Sequence, residues 1–93
     1  MTEEIVRIVV VLHPHPTDTS KWESTVIFGD GSYTALAARR LEDARAAAAA
    51  EVRRCAQGRA VKVWTIERAE MPKLDRASLR ELFTTLEKTK PDA

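Results

Sequence analysis

The chain has 93 residues, of which 44% are apolar and 31% are charged, and its formal net charge is +1. This length and composition indicate a single folded domain with one modest core. The near-zero total charge does not by itself indicate nucleic acid or an anionic membrane as a partner. A single cysteine, Cys55, excludes an internal disulfide and a four-cysteine zinc site.

The first element in chain order is an apolar strand predicted at Ile5–Leu12. Apolar, mostly β-branched residues occupy both of its alternating faces apart from Arg7, which predicts a central strand covered on both sides. The run is too short to cross a bilayer. Glu3 and Glu4 stand where a signal peptide carries basic residues. We therefore expect a cytoplasmic protein.

The next segment predicts a loop followed by a β-hairpin. Pro14 and Pro16 cannot donate a hydrogen bond to a β-ladder, so we expect a loop over His13–Ser20. Asp30–Gly31 is a two-residue turn signal, because both central positions of such a turn need a positive φ. The turn joins strands predicted at Trp22–Phe28 and Ser32–Ala37.

A long helix is predicted from about Arg40 to Ala56, with Gly58 as a left-handed stop. Acidic residues in its first turn and basic residues in its last suit the helix macrodipole. An alternative start at Thr34 would convert the third strand into helix. The apolar stripe of the helix predicted from Arg40 to Ala56 is mostly alanine, so the helix backbone should lie close to a sheet. The stripe consists of Leu41, Ala44, Ala48, Val52 and Cys55.

A fourth strand and a second helix complete the chain. The strand is predicted at Ala60–Glu67, and a loop follows at Glu70–Leu74. Ser78 and Glu81 form a capping box, with Asp75 as a competing N-cap. The residues Lys90–Ala93 are predicted to form a frayed tail. The helix presents an apolar stripe of Leu79, Leu82, Phe83 and Leu86.

The element order β-β-β-α-β-α predicts an α+β fold in one domain over residues 1–93. The first three strands should form a meander. The crossover rule and the apolar first strand place the fourth strand parallel to the first and beside it, giving a four-stranded mixed sheet of order 3-2-1-4. The last helix is left with three placements: the same face as the first helix, the opposite face, or a partner subunit.

No catalytic constellation or Gly-rich phosphate loop stands out in the sequence, and no cofactor is expected. We expect a small non-catalytic binding or accessory protein of a bacterium or phage, acting through contacts with another protein or with a second copy of itself. A C2 dimer is favoured, because symmetric pairs are the commonest oligomers. If the last helix does not cover the second face of the sheet, Trp64 and Ile66 form an exposed apolar patch, and tryptophan in such a patch is a frequent hot-spot residue. The candidate binding residues are Trp22, Trp64, Ile66, Leu82 and Phe83.

Nucleic-acid binding is the first alternative, because residues 39–62 carry seven basic and three acidic side chains. The stretch ARRLEDARAAAAAEV resembles the C-terminal part of a double-stranded-RNA-binding domain, where paired basic residues begin an alanine-rich helix. It departs from that pattern at Glu42 and Asp43, whose carboxylates repel phosphate. The candidate residues are Arg39, Arg40, Arg45, Arg53 and Arg54.

Metal binding is the second alternative, and it rests on His13 and His15. Residues i and i+2 of an extended segment point the same way, so the two imidazoles are able to share one metal ion. Asp18, Glu23 or Asp30 would supply a further ligand.

Overall fold

The computed structural model describes residues 5–92, so Glu3, Glu4 and Ala93 lie outside the described residues. Four strands form one sheet of order β3-β2-β1-β4, in which β1 pairs antiparallel with β2 and parallel with β4. This confirms the predicted α+β element order and sheet. The elements are β1 (Val6–Pro14), β2 (Trp22–Phe28), β3 (Tyr33–Ala38), α1 (Leu41–Ala56), β4 (Val61–Glu67) and α2 (Arg76–Leu86).

The centre of the molecule is β1, where every residue of Ile8–Leu12 is at most 3% exposed. Successive side chains of a strand point to opposite faces of the sheet. Ile8, Val10 and Leu12 accordingly pack in the cluster that includes Ala44 and Ala48 of α1. The alternate residues Val9 and Val11 pack in the cluster formed with α2. We call these two sides of the sheet the α1 face and the α2 face.

The strand β1 runs two residues further than predicted, because His13 and Pro14 continue it instead of beginning a loop. The His15 amide donates to Lys21 O across the β1–β2 pair, so the Pro14 nitrogen points to the other side. That side is open, because the β1–β4 register ends at Leu12. A proline is tolerated where no partner strand needs its N–H.

Helix α1 lies close to the sheet through its small side chains. Ala44 and Ala48 are buried, and α1 approaches the backbones of β2 and β3 most closely. The alternative helix start at Thr34 is wrong, because β3 continues to Ala38. The helix ends in two left-handed residues, Gln57 with φ 51° and the predicted Gly58 with φ 78°.

Helix α2 begins at Arg76, and Asp75 caps it. The Asp75 carboxylate accepts hydrogen bonds from Ser78 N at 3.0 Å and from Ser78 Oγ at 2.7 Å. The predicted Ser78–Glu81 capping box is therefore wrong: Ser78 lies inside the first turn as the donor. Asp75 satisfies an N–H that the first turn would otherwise leave without a partner.

The apolar stripe of α2 covers the second face of the same sheet. Leu79, Phe83 and Leu86 are buried against Val9 and Val11. Of the three placements left open for the last helix, the structure shows the second, in which it covers the face opposite α1 within its own chain. Neither helix of residues 5–92 is long and apolar enough to cross a membrane.

The close approach of α1 makes a testable prediction at Ala48, which is 2% exposed. Ala48→Leu adds volume between the helix and the sheet, and overpacking of this kind costs about 1–3 kcal/mol. We expect that loss of unfolding free energy in urea denaturation. Ala46→Leu is the matched control, because Ala46 is exposed on the same helix. Equal midpoints for the two variants would contradict the packing described for Ala48.

A second prediction concerns the pH dependence of the α2 cap. The side-chain and backbone hydrogen bonds from Ser78 lower the pKa of Asp75. A carboxyl whose pKa is lower in the folded than in the unfolded state stabilises the fold above the unfolded value of about 3.9, and this contribution is lost as pH falls through the folded pKa. We expect Asp75→Ala to lower the Tm at neutral pH, and the difference from wild type to shrink in acid.

Asp75→Asn is the control for this titration, because asparagine also caps helices but carries no ionisable group. Its Tm difference from Asp75→Ala should stay constant with pH. A wild-type advantage over Asp75→Ala that is unchanged in acid would contradict a stabilising Asp75 carboxylate.

Candidate functional site

The aromatic residues expected to contact a partner are divided between core and surface margin. Trp64 is 4% exposed and Phe83 is 6% exposed, and both belong to the cluster on the α2 face. The Trp64 indole also donates through Nε1 to Thr89 O at 3.3 Å. The condition for an exposed patch around Trp64 is not met, because α2 covers this face of the sheet. Ile66, Leu82 and Trp22 are half-buried at the edges of the two clusters.

The two histidines of the predicted loop lie on the α2 face beside Glu23. His13 pairs with Glu23 across β1 and β2, and Thr25 follows on the same face of β2. His13 Nε2 lies 2.8 Å from Thr25 Oγ1 and 3.6 Å from Glu23 Oε1. His15 Nε2 lies 3.5 Å from Glu23 Oε2. The structure thus brings together both predicted imidazoles and one of the three carboxylates proposed as a further ligand.

The hydrogen bonds of His13 assign its proton. Nδ1 lies 2.9 Å from Pro14 O, and a carbonyl only accepts, so Nδ1 carries a hydrogen. In the neutral ring Nε2 then accepts from the Thr25 hydroxyl. Within residues 5–92 no group of three or more His, Cys, Asp or Glu side chains is arranged to hold a metal ion. His13, His15, Glu23 and Thr25 form a polar cluster held by the hydrogen bonds of His13 and by the approach of both imidazoles to the Glu23 carboxylate.

The hydroxyl–imidazole contact resembles the pair used in nucleophilic catalysis, but its position does not suit that chemistry. Thr25 and His13 are both fully buried, with 0% exposure. A nucleophile must reach an atom of the substrate, and a side chain that is fully buried on the α2 face is not accessible to a substrate. Cys55 is the other nucleophilic side chain, and burial and the neighbouring Glu51 carboxylate raise its thiol pKa. A raised pKa lowers the thiolate fraction and hence the reactivity.

The arginines of the nucleic-acid alternative do not form one free basic face. Arg45 donates to Glu67 of β4 at 3.0 Å, and Arg54 is paired with Glu51 on its own helix. Arg39 and Arg40 lie in the turn before α1, where Arg40 occupies the N-cap position without a side-chain cap bond. Arg53 lies on the exposed side of α1 towards β4. Two of the five arginines are thus already neutralised by carboxylates.

A groove between α1 and β4 is the surface feature that the sequence did not predict. It has a volume of about 310 Å³. It opens on the α1 face above β4, because α1 lies closer to β2, β3 and β1 than to β4. Its polar lining consists of the exposed side chains of Arg45, Arg53 and Asp92 and the half-buried Thr65. Finding it requires knowing which strands α1 covers, and no local pattern reports that. The apolar lining consists of Val10, Ala48, Ala49, Val52 and Val63.

Two further depressions of the surface are open and highly charged. One has a volume of about 560 Å³ between α2 and the β2–β3 turn, and Arg7, Arg80, Asp30 and Glu87 are among its lining residues. Arg7 pairs there with Glu87 and lies 5.6 Å from the ring centroid of Phe83. The second, of about 530 Å³, lies beside Cys55 at the other side of the turn. Opposite charges within one depression do not select either an anion or a cation.

Comparisons with known proteins give no functional information, so a function can be inferred only from the fold and the surface of this chain. No protein-family model, curated protein or solved structure matches this chain.

The polar cluster makes a prediction at Thr25. Thr25→Val keeps the shape of the side chain and removes the hydroxyl that partners His13 Nε2. A buried acceptor left without its partner costs about 1–3 kcal/mol, and we expect a loss of that size in urea unfolding. Thr34→Val is the matched control, because Thr34 is a half-buried threonine of β3. A Thr25→Val protein no less stable than the control would contradict a structural hydrogen bond at His13.

Proposed function

We propose that this chain is a small non-catalytic accessory protein that acts by binding another protein, and that the groove between α1 and β4 is its contact surface. The partner segment carries an apolar side chain with a carboxylate on the side that faces α1. The observation that supports this proposal is one surface groove in which an apolar lining is bordered by two arginines along α1, with Asp92 on its lining as well. Apolar anchors set in a charged rim are typical of protein interfaces.

The floor of the groove supports an apolar anchor. Val10 is 3% exposed and Val63 is 8% exposed, so the floor itself offers a partner little apolar area. Ala49, which is exposed, and Val52, which is half-buried, supply the accessible apolar area along one wall. Because alanine is short, this wall leaves space that a longer side chain would fill. An inserted Leu or Phe would replace water at an apolar surface, which is favourable by about 25 cal/mol for each Å² removed from water.

The border of the groove supports carboxylates beside that anchor. Arg45 and Glu67 form an ion pair in which both side chains are more than half exposed. Exposed pairs of this kind contribute about 0–1 kcal/mol, so a carboxylate of the partner is able to compete for Arg45 at little cost. Arg53, two turns along the same helix, adds positive charge to the same border. Charge complementarity of this kind gives an interface specificity and a faster association rate.

Photo-crosslinking tests this proposal in cells that naturally express the chain. A photoreactive residue at position 49 would point along the groove wall, whereas one at position 46 would point from the exposed side of α1. We expect a protein partner that crosslinks from position 49 and not from 46. Ala49→Trp, which fills the groove, should reduce the recovery of that partner at least tenfold, and Ala46→Trp should leave it unchanged.

Two outcomes would contradict the proposal. Equal recovery with Ala49→Trp and Ala46→Trp would place the contact elsewhere on the molecule. A salt-sensitive mobility shift of duplex DNA or RNA, abolished by Arg39→Glu with Arg40→Glu, would favour the nucleic-acid alternative instead, because counterion release makes such binding steeply dependent on salt.

A further inference from the structure

One of the two outer edges of the sheet is covered by another segment of the described chain, and the other is not. The outer edge of β4 is covered by the C-terminal segment, where Asp92 N donates to Val63 O at 2.6 Å and Asp92 Oδ2 accepts from Thr65 N at 2.9 Å. The outer edge of β3 has no such cover. Among residues 5–92, no hydrogen bond from another segment reaches the outward-pointing backbone groups of β3.

The register identifies those groups. Phe28 N donates to Ser32 O at the turn, so the hydrogen-bonded pairs of the β2–β3 ladder continue through the even-numbered residues of β3, such as Thr34 and Leu36. The N–H and C=O groups of Tyr33, Ala35 and Ala37 therefore point away from the sheet. A row of this kind is a template for a further strand.

This edge carries none of the devices that usually block strand addition. The strand β3 (YTALAA) contains no proline and no charged residue. Monomeric proteins commonly protect an open edge with lysine, proline or a bulge. The side chains of the residues whose backbone groups point outward do not obstruct a further strand. Ala35 and Ala37 are small and exposed, and Tyr33 is 50% exposed.

We propose that the β3 edge binds the β3 edge of a second copy of this chain, antiparallel across a two-fold axis, to form one continuous eight-stranded sheet. This interface goes beyond the proposed groove and does not depend on it. In the register with the greatest overlap, Ala35 lies opposite Ala35 of the second copy. Tyr33 then lies opposite Ala37. Each of these pairs exchanges both of its N–H···O bonds.

The charges at the two ends of β3 favour this antiparallel register. It brings the turn before β3, which carries Asp30, towards Arg39 and Arg40 at the end of β3 of the second copy, and the two-fold axis repeats this approach. Ser32 donates two hydrogen bonds to the Asp30 carboxylate, which lowers the pKa of that group and keeps it ionised at neutral pH. A parallel pairing would instead bring each charge beside its own kind.

Helix α1 fits the same two-fold axis. Adjacent strands are about 4.8 Å apart. Helix α1 approaches β2 most closely, with β3 and β1 on either side, so its axis would lie about 14 Å from the axis of its symmetry copy, which is three strand spacings. The two helices therefore do not collide. The flank of α1 away from the groove carries Asp43 near its start and Arg54 near its end, and the antiparallel arrangement places each of these charges on the side of the opposite charge of the second copy.

Light scattering coupled to size exclusion tests the assembly with the full chain. We expect wild type to have twice the chain mass of 10.4 kDa. Ala35→Pro removes one outward N–H and should give the 10.4 kDa mass with an unchanged far-UV circular dichroism spectrum, because this N–H has no partner within the chain. Ala35→Ser retains the N–H and should remain a dimer. Ala49→Trp, in the groove, should also remain a dimer.

Cysteine crosslinking tests the register in a Cys55→Ser background. Directly opposed residues of a hydrogen-bonded pair have Cα atoms about 5.5 Å apart, which suits a disulfide. We expect Ala35→Cys to form a covalent dimer on oxidation. Ala37→Cys should not, because the two copies of position 37 are offset by four residues, or about 13 Å along the strands.

Three results would overturn the proposal. A wild-type mass of 10.4 kDa at every concentration would leave the edge to a strand from a different protein. A dimer that survives Ala35→Pro would place the interface on another surface. Equal crosslinking of Ala35→Cys and Ala37→Cys would exclude this register.

Discussion

The burial of β1 on both faces is the constraint on which the rest of the structure depends. Five consecutive apolar residues, Ile8–Leu12, occupy the middle of the sheet, and each must be removed from water by something packed above or below it. A single helix covers only one face. The chain therefore needs two helices on opposite sides, and it needs β2 and β4 as neighbours that hydrogen-bond β1 along both of its edges.

The two helices satisfy this constraint by different packing. Alanines bring α1 close to the strand backbones, whereas Leu79 and Phe83 of α2 insert long side chains towards the sheet. A narrow, close helix covers fewer strands than it would with larger side chains. This is the physical origin of the groove above β4, because α1 lies closer to β2, β3 and β1 than to β4.

The same packing explains where polar groups are buried. At the end of β1, beyond its pairing with β4, the α2 face carries His13, Glu23 and Thr25 in place of the aliphatic residues found further back along the strands. Each of these buried side chains has a partner, and no buried side-chain nitrogen or oxygen within residues 5–92 lacks one. A satisfied polar network fixes one arrangement of a core, since any other register leaves a buried group unpaired.

The sequence alone determined the element order, the sheet order and the two apolar stripes, because these follow from local periodicity, from turn chemistry and from the rule for crossover connections. It also gave the type of residue at the polar cluster, as two histidines spaced i and i+2. Only the tertiary structure decided that His13 and Pro14 continue β1. Pro14 has no N–H, and it is tolerated in the strand because β4 ends before it and no partner strand lies on that side. Only the tertiary structure decided that Trp64 is core and that the groove above β4 is open. Both depend on where each helix crosses the sheet, and that position is set by side-chain volumes meeting across elements that are distant in the chain.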